Sequence, residues 1–196
     1  AETAGMKRRL YDAFVPFAVE LERKRLSGHV PTATERLRRA MGEVLIYGPI
    51  RDHLGLSRVK RAYTAGEAIG EDVFLYFRAL GLNLRQFYGQ TENCALAVAQ
   101  KPEDISLTTV GRPFPGVEMR IAEDGEILLR GDNIFDGYFQ NDKSTAETLR
   151  DGWLHTGDAG QVEGDGQLVV LGRVSEVMHT ASGCLLYTSD AADEED

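Results

Sequence analysis

The chain has 196 residues, 42% of them hydrophobic, which is enough for one or two small cores. Its formal net charge of −9 argues against a general nucleic-acid-binding protein, and no apolar run approaches the roughly 20 residues of a membrane-spanning helix. There is no signal-peptide pattern, and Cys94 and Cys184 show neither metal-ligand spacing nor a disulfide framework. We therefore expect a soluble cytoplasmic protein.

A long amphipathic helix is predicted at the start of the chain, over residues 3–26. Pro16 is expected to kink or interrupt it, because proline removes a helical hydrogen bond. Basic residues fill the face opposite the apolar one, and we interpret that face as solvated rather than as a nucleic-acid surface. The apolar face comprises Met6, Leu10, Phe14, Phe17 and Leu21.

Two further helices are predicted before the first strand. The longer one covers residues 34–47, with Thr34 as a plausible N-cap and Gly48-Pro49 as its end. A short helix is predicted over residues 51–54.

A strand–helix–strand unit follows, with strands over residues 59–64 and 82–87 and a helix over 71–80. This order is typical of a parallel α/β sheet. It places two loops, residues 66–68 and 88–92, at the carboxyl ends of strands, where open α/β sheets bind ligands.

The pattern changes after about Ser106, where apolar and polar residues alternate around Asp124-Gly125, a two-residue hairpin signal. A short helix capped by Asp142 is predicted over residues 142–149. The same hairpin pattern recurs around Asp165-Gly166, so we expect a small antiparallel β subdomain.

Three stretches carry residues suited to a nucleotide: Tyr88-Gly89-Gln90-Thr91-Glu92, the run from Gly152 to Asp158, and Gly172-Arg173. A hydroxyl can donate to a phosphate oxygen, and a carboxylate can bind the Mg²⁺ that accompanies nucleotide phosphates. Taken alone, the first stretch is also the pattern of a core tyrosine followed by a helix N-terminus. In this order, the three stretches resemble the adenylate-forming (AMP-binding) acyl-CoA synthetases. The long helical stretch with a basic face before Tyr63-Thr64-Ala65-Gly66-Glu67, followed by Gly89-Gln90-Thr91-Glu92-Asn93, resembles in particular the long-chain fatty acid–CoA ligase branch.

The resemblance implies a role for each matching residue. Thr91 and Glu92 are the expected catalytic pair: the threonine hydrogen-bonds to the α-phosphate, and the glutamate is the Mg²⁺ ligand. Tyr88 is expected to stack on the adenine, Asp158 to accept hydrogen bonds from both ribose hydroxyls, and Arg173 to contact ribose and phosphate. The other implied nucleotide contacts are Gly66, Glu67, Ala68, Gln86, Phe87, Gly89 and Val170.

The same resemblance implies an α/β fold that is part of the large N-terminal domain of such an enzyme, truncated at the hinge. Residues 1–108 would form the helical and α/β subdomain that binds adenine and phosphate, and residues 109–172 the antiparallel β subdomain with the ribose-binding Asp158. Residues 173–183 would begin the hinge to a C-terminal lid. Residues 184–196 resemble a translated sequencing adapter, and we interpret them as a non-native tail.

The implied function is ATP-dependent activation of a carboxylic acid, a long-chain fatty acid, to acyl-AMP and then acyl-CoA. ATP, Mg²⁺ and CoA are the implied cofactors and co-substrates. The family's phosphate loop would precede residue 1 and its lid would follow residue 183, so we expect the 196-residue chain itself to be inactive in adenylation. Ser175-Glu176 stands where the family often has Lys-Asp, which leaves the hinge residue open.

Three alternatives remain open at this point. The acid could be a medium-chain or aryl acid, the chain could belong to a carrier-loading adenylation domain, or it could be a non-catalytic nucleotide-binding module. The expected partners are the acid and nucleotide substrates, with no nucleic acid. Membrane-surface association and oligomeric state are left open.

Overall fold

The computed structural model describes residues 2–66, 69–179 and 185–187. The chain divides into two compact units, Ala1–Arg85 and Gln86–Asp196. The subdomain boundaries inferred from the sequence stay predictions. Within the described residues, no helix combines the length and the apolar character needed to cross a membrane.

The first unit opens with helix α1, Glu2–Leu26, which runs through Pro16 without interruption. The expected interruption at Pro16 is therefore wrong. The reason is tertiary: Val15, Ala18 and Leu21 are buried on either side of the proline, and this packing offsets one missing hydrogen bond. The apolar face also differs from the predicted one at its start, since Met6 is 60% exposed.

Helix α2, Ala33–Gly42, is capped by Thr32 and not by Thr34. Thr32 Oγ1 accepts the Glu35 N–H at 3.3 Å, while the Glu35 carboxylate accepts the Thr32 N–H at 2.8 Å. This reciprocal capping box requires a glutamate three residues after the cap, and only Thr32 has one in this register.

Helical structure then continues past the predicted stop at Gly48-Pro49. A π-helical segment, Glu43–Tyr47, leads directly into α3, Gly48–His53. The proline lies in the first turn of α3, where a backbone N–H is not needed, so it starts a helix rather than ending one. Tyr47 is fully buried and donates its hydroxyl to Phe14 O at 2.9 Å, which ties this segment to α1.

The predicted strand–helix–strand order is confirmed as β1, Ala62–Thr64, α4, Glu71–Ala79, and β2, Leu84–Tyr88. β1 and β2 are sheet neighbours, and Ala62 N–H donates to Asn83 O at 3.0 Å. Helix α4 is linked to α1 by an ion pair with the buried Glu22, in which Arg78 Nε donates to Glu22 Oε1 at 2.9 Å.

In the second unit, β2 pairs antiparallel with β3, Val98–Ala99, and β3 pairs antiparallel with β4, Arg112–Pro113. The sequence did not predict β3 and β4, because a two-residue strand is too short to show an alternating pattern.

The predicted antiparallel β subdomain is confirmed. Its strand order is β5-β6-β8-β7, and β9 also pairs with β8. Helix α5, Asp142–Thr148, precedes β7, and its cap is Asn141 rather than Asp142, because the Asn141 side chain accepts the Ser144 N–H at 3.1 Å. The strands are β5, Glu118–Ile121, β6, Glu126–Arg130, β7, Leu149–Arg150, β8, Trp153–Val162, and β9, Leu168–Arg173.

Both hairpin loops contain three residues instead of the expected two. In the first, Ala122 N–H bonds to Glu126 O at 2.8 Å, so residues 123–125 form the loop. Gly125 has a φ of +85°, and Asp124 Oδ1 accepts the Glu126 N–H at 3.1 Å. A left-handed glycine closing a three-residue loop is the alternative hairpin that Asp-Gly also permits.

One hydrophobic cluster organises the second unit and includes residues of two of the three predicted nucleotide motifs. Tyr88 at the end of β2 and Leu154 in β8 belong to it, and Val170 packs against it. Its buried members are Tyr88, Ala97, Val98, Ile127, Leu129, Leu154 and Leu168.

The end of the described chain forms a short turn, Val174–Glu176, and a two-stranded antiparallel pair. Its strands are β10, Val177–His179, and β11, Leu185–Tyr187. Residues 180–184 and 188–196, which include the last four residues of the predicted hinge and most of the predicted tail, lie outside the described residues. The origin of the tail stays a prediction.

Candidate nucleotide-binding site

The loop after β2 makes a tight turn that depends on glycine. A Cβ at Gly89 would lie 2.3 Å from the carbonyl carbon and oxygen of Ala95, so only glycine fits here. The chain then forms a single 3₁₀ turn, Thr91–Asn93, followed by Cys94 and Ala95 at φ +56° and +61°. Two consecutive left-handed non-glycine residues are costly, and such strain is concentrated at functional sites.

A buried amide network holds this turn in place. Asn93 is completely buried, and its Oδ1 accepts the Gln90 N–H at 3.0 Å. Asn133 Nδ2 donates to Asn93 O at 3.1 Å and to Leu96 O at 2.8 Å. The turn is thereby fixed on its inner side, while Thr91, two residues before Asn93, is exposed.

Tyr88 is joined to Asp158, although the two residues are 70 positions apart. The Tyr88 hydroxyl donates to Asp158 Oδ2 at 2.7 Å, and the tyrosine is 8% exposed. Burial, and then the negative charge of Asp158, raise the pKa of Tyr88 well above its usual value, so the phenol stays protonated and donates. The stacking of Tyr88 on adenine stays a prediction.

Arg173 contacts the other oxygen of the Asp158 carboxylate, and we call Tyr88, Asp158 and Arg173 together the Asp158 cluster. Arg173 Nη1 lies 3.1 Å from Asp158 Oδ1 and 3.2 Å from Thr156 O. Both oxygens of Asp158 are therefore already engaged, Oδ2 by a hydrogen bond and Oδ1 by an ion pair. Each carboxylate oxygen has two lone pairs, so each retains the capacity to accept one hydroxyl of a ribose.

A bulge in β8 aims Asp158 at this cluster. Gly157 has a φ of +71°, and the strand pairing shifts register at this point. Thr156 Oγ1 donates to Ile127 O at 2.7 Å and accepts the Asp158 N–H at 3.1 Å. The threonine thus fixes the backbone immediately before the carboxylate.

Glu126 supports the bulge from the neighbouring strand β6, and sequence reasoning missed it. Its Oε1 accepts the Gly157 N–H at 2.8 Å, and its Oε2 lies 2.7 Å from His155 Nδ1. Arg150 Nη2 lies at 2.7 Å from the same ring nitrogen. One ring nitrogen cannot both donate to the carboxylate and accept from the arginine, and we assign the hydrogen to Nδ1, which leaves the arginine as a close contact. The available signal was a glutamate that directly precedes the three apolar residues of β6.

Three residues predicted to contact the nucleotide are packed against other parts of the protein instead of facing open space. Gln86 is buried, and its Nε2 donates to the backbone carbonyls of Ser106, Leu107 and Thr109. Val170 is partly buried against the core, and Phe87 is half-buried at the end of β2.

The remaining predicted loop, residues 66–68, is only partly described. Gly66 follows β1 in the first unit and has a φ of +95°, a conformation that favours glycine. Glu67 and Ala68 lie outside the described residues. The nucleotide contacts predicted for all three residues stay predictions.

The surroundings of Glu92 suit a cation whose other ligands are phosphate oxygens and water. Within the described part of the chain, no group of three or more His, Cys, Asp or Glu side chains could hold a metal ion. Glu92 Oε1 accepts the hydroxyl of Tyr138 at 2.7 Å. A single carboxylate fits Mg²⁺ that is bound mainly by phosphate oxygens and water, and it does not fit a metal held by protein alone.

An open cavity of about 580 Å³ lies beside the β8 bulge and the start of the predicted hinge. It is bounded by the bulge at Gly157, by Arg173 and by the turn that follows β9. The cavity places open space next to the Asp158 cluster. Its lining residues are Asp124, Glu126, Gly157, Arg173, Val174 and Ser175.

Comparison with known proteins gives consistent matches. The family described as AMP-binding enzyme matches residues 6–139, which is more than half of the chain. The chain is 37% identical over 148 residues to the long-chain-fatty-acid–CoA ligase FadD15 of Mycobacterium bovis, covering 76% of this chain and 24% of that protein.

Solved structures of adenylate-forming enzymes show the same fold. The anthranilate CoA ligase AuaEII in complex with anthranoyl-AMP is 26% identical, with a TM-score of 0.61 over 67% of this chain and 28% of that one. The O-succinylbenzoate coenzyme A synthetase of Bacillus subtilis, in complex with ATP and magnesium ion, is 27% identical, with a TM-score of 0.57 over 69% and 32%. The chain thus spans about a quarter to a third of the proteins that it matches. It belongs to the family of AMP-binding, adenylate-forming enzymes.

Proposed function

We propose that this chain is the nucleotide-binding part of an ATP-dependent acid–CoA ligase that activates a long-chain fatty acid. The observation that carries the proposal is the cluster of Tyr88, Asp158 and Arg173, in which one carboxylate accepts the Tyr88 hydroxyl and forms an ion pair with Arg173. Tyr88 ends the strand that leads into the Thr91–Asn93 turn, so the ribose-binding and phosphate-binding candidates share one framework. The similarity to FadD15 supports a fatty acid as the substrate.

In the first step, the substrate carboxylate attacks the α-phosphorus of ATP, and pyrophosphate leaves. Thr91 donates its exposed hydroxyl to an α-phosphate oxygen, and Asp158 orients the nucleotide by accepting from the ribose. Glu92 would hold Mg²⁺, which supplies positive charge to the phosphates when bound. In the second step, the thiol of CoA attacks the acyl carbonyl and AMP leaves.

No histidine base is needed for the first step, because a fatty acid is already ionised at neutral pH. His155 lies inside the Trp153–Asp158 run, yet its Nδ1 faces Glu126. We therefore assign His155 a structural role in the bulge that carries Asp158.

We place the complete activity in a longer protein, because the chain spans only 24% of FadD15. For the 196-residue chain alone, we expect nucleotide binding without formation of acyl-AMP. We propose a cytoplasmic location for the longer protein, which cell fractionation would check.

An aryl acid is the second candidate substrate, because one of the similar structures is an anthranilate CoA ligase. Pyrophosphate release by the longer protein with hexadecanoate and with anthranilate would separate the two. A carrier-loading adenylation domain would transfer its acyl group to a carrier protein in preference to CoA. A non-catalytic module would bind nucleotide and release no pyrophosphate with either acid.

The ribose assignment is tested by calorimetric titration of the chain with ATP and with 2′-deoxy-ATP. The unsubstituted chain should bind ATP about tenfold more tightly, since a hydrogen bond to a charged acceptor is worth about 1.5 kcal/mol or more. Asp158→Asn should lose ATP affinity and most of this discrimination. The control, Asp132→Asn, changes an exposed aspartate of the same unit and should behave like the unsubstituted chain. Equal affinity of the unsubstituted chain for both nucleotides would refute the role of Asp158.

A further inference from the structure

Glu92 is held at both its backbone and its side chain by one short segment, residues 135–138, which lies between β6 and α5. Phe135 N–H donates to Glu92 O at 2.8 Å. Three residues later, the Tyr138 hydroxyl donates to Glu92 Oε1 at 2.7 Å. Two contacts at opposite ends of one residue fix both its position and the direction of its side chain.

The segment itself is well anchored. Tyr138 N–H donates to Thr145 Oγ1 at 2.9 Å, which ties the segment to α5. The rings of Phe135 and Tyr138 meet edge to face, with centroids 4.8 Å apart and planes at 72°. A Cβ at Gly137 would lie 2.6 Å from Thr145 Cγ2, so glycine is required for this close approach. The Tyr138 hydroxyl that contacts Glu92 is therefore carried by a segment whose position is fixed.

We propose that Tyr138 is the positioning residue for the Glu92 carboxylate, holding Oε1 so that Oε2 is directed to a divalent cation. This inference rests on the proposed function, in which Glu92 is the cation ligand. A phenol has one hydrogen to donate, so it engages one carboxylate oxygen and leaves the other as an acceptor.

The contact lowers the cost of binding a cation. A glutamate side chain has several rotatable bonds, and holding it in one direction before the cation arrives removes an entropic cost of binding. Groups that orient a metal ligand in this way typically change metal affinity by tenfold or more.

The test measures cation binding directly, with Mn²⁺ as the probe. Electron paramagnetic resonance gives the dissociation constant of Mn²⁺ for the 196-residue chain at saturating ATP, and calorimetry gives the affinity for ATP in EDTA. Tyr138→Phe should weaken Mn²⁺ binding by roughly tenfold and leave metal-free ATP binding unchanged. Glu92→Gln should weaken Mn²⁺ binding at least as much. In the Glu92→Gln background, Tyr138→Phe should have no further effect, because the carboxylate that it positions is gone.

Two further variants control for structure. Tyr11→Phe removes a phenol hydroxyl from α1 in the first unit and should leave Mn²⁺ binding unchanged. Phe135→Leu keeps the backbone bond to Glu92 but removes the ring that packs against Tyr138, and it should give an intermediate loss. Thermal unfolding of each variant checks that its fold is retained.

The outcomes separate this inference from the proposed function. If Tyr138→Phe stays within twofold of the unsubstituted chain while Glu92→Gln weakens Mn²⁺ binding, the role of Tyr138 is refuted and the proposed function stands. If Glu92→Gln also has no effect, the assignment of Glu92 as cation ligand fails, and the role of Tyr138 fails with it. Absence of nucleotide-dependent Mn²⁺ binding by the unsubstituted chain would refute both.

Discussion

Glu126→Ala is expected to destabilise the second unit and to weaken nucleotide binding. Glu126 is 7% exposed and holds the β8 bulge through the Gly157 N–H and through His155. Losing a hydrogen bond to a charged group costs about 1.5–3 kcal/mol, and the open cavity beside Glu126 lets water replace part of the loss. We therefore expect a loss of about 2–3 kcal/mol, which corresponds to a decrease in Tm of roughly 4–12 °C.

The measurement is thermal and urea unfolding of Glu126→Ala beside two comparison variants. Glu126→Gln keeps an oxygen for the Gly157 N–H and should cost about half as much. Glu118 lies in the same hairpin, and its side chain is 60% exposed. Glu118→Ala should therefore change the free energy of unfolding by about 0.5 kcal/mol or less. Equal effects of Glu126→Ala and Glu118→Ala would show that the bulge does not depend on Glu126. Unchanged ATP affinity in Glu126→Ala would show that the bulge does not position Asp158.

Three further substitutions test local parts of the structure. Thr32→Ala should lower the free energy of unfolding by about 1 kcal/mol through loss of the α2 cap, whereas Thr34→Ala should have little effect in the same denaturant titration. The pKa of Tyr88 is raised above the usual 10.0, so its contribution to stability is complete below pH 10 and declines above it. Tyr88→Phe should therefore reduce the fall in the free energy of unfolding between pH 10 and 12. An unchanged slope would contradict the burial of this phenol. Gly89→Ala should lower the free energy of unfolding by about 2 kcal/mol or more, the cost of an overpacked site, because the added Cβ would overlap the backbone of Ala95. Gly164→Ala places its Cβ in open space and should be near neutral by calorimetry.

Local signals in the sequence predicted much of the fold. Helical spacing identified α1 and α4, and Asp-Gly pairs identified both hairpins, since these features depend on residues close together in the chain. The errors were mostly at boundaries. The α2 cap was assigned two residues late, and Gly48-Pro49 was interpreted as a stop where it starts α3. The interruption predicted at Pro16 was wrong because tertiary packing outweighs a local preference, whereas Gly48-Pro49 was misinterpreted because a proline in the first turn is compatible with a helix.

The sequence by itself determined the family and the candidate residues, because Tyr88 to Glu92 and Trp153 to Asp158 are contiguous runs that can be recognised without any structure. Only the tertiary structure decided what supports them. The Tyr88–Asp158 bond spans 70 positions and the Glu92–Tyr138 bond spans 46. Strand register and shared core packing set such contacts, and Glu126 reaches its partners only because β6 lies beside β8.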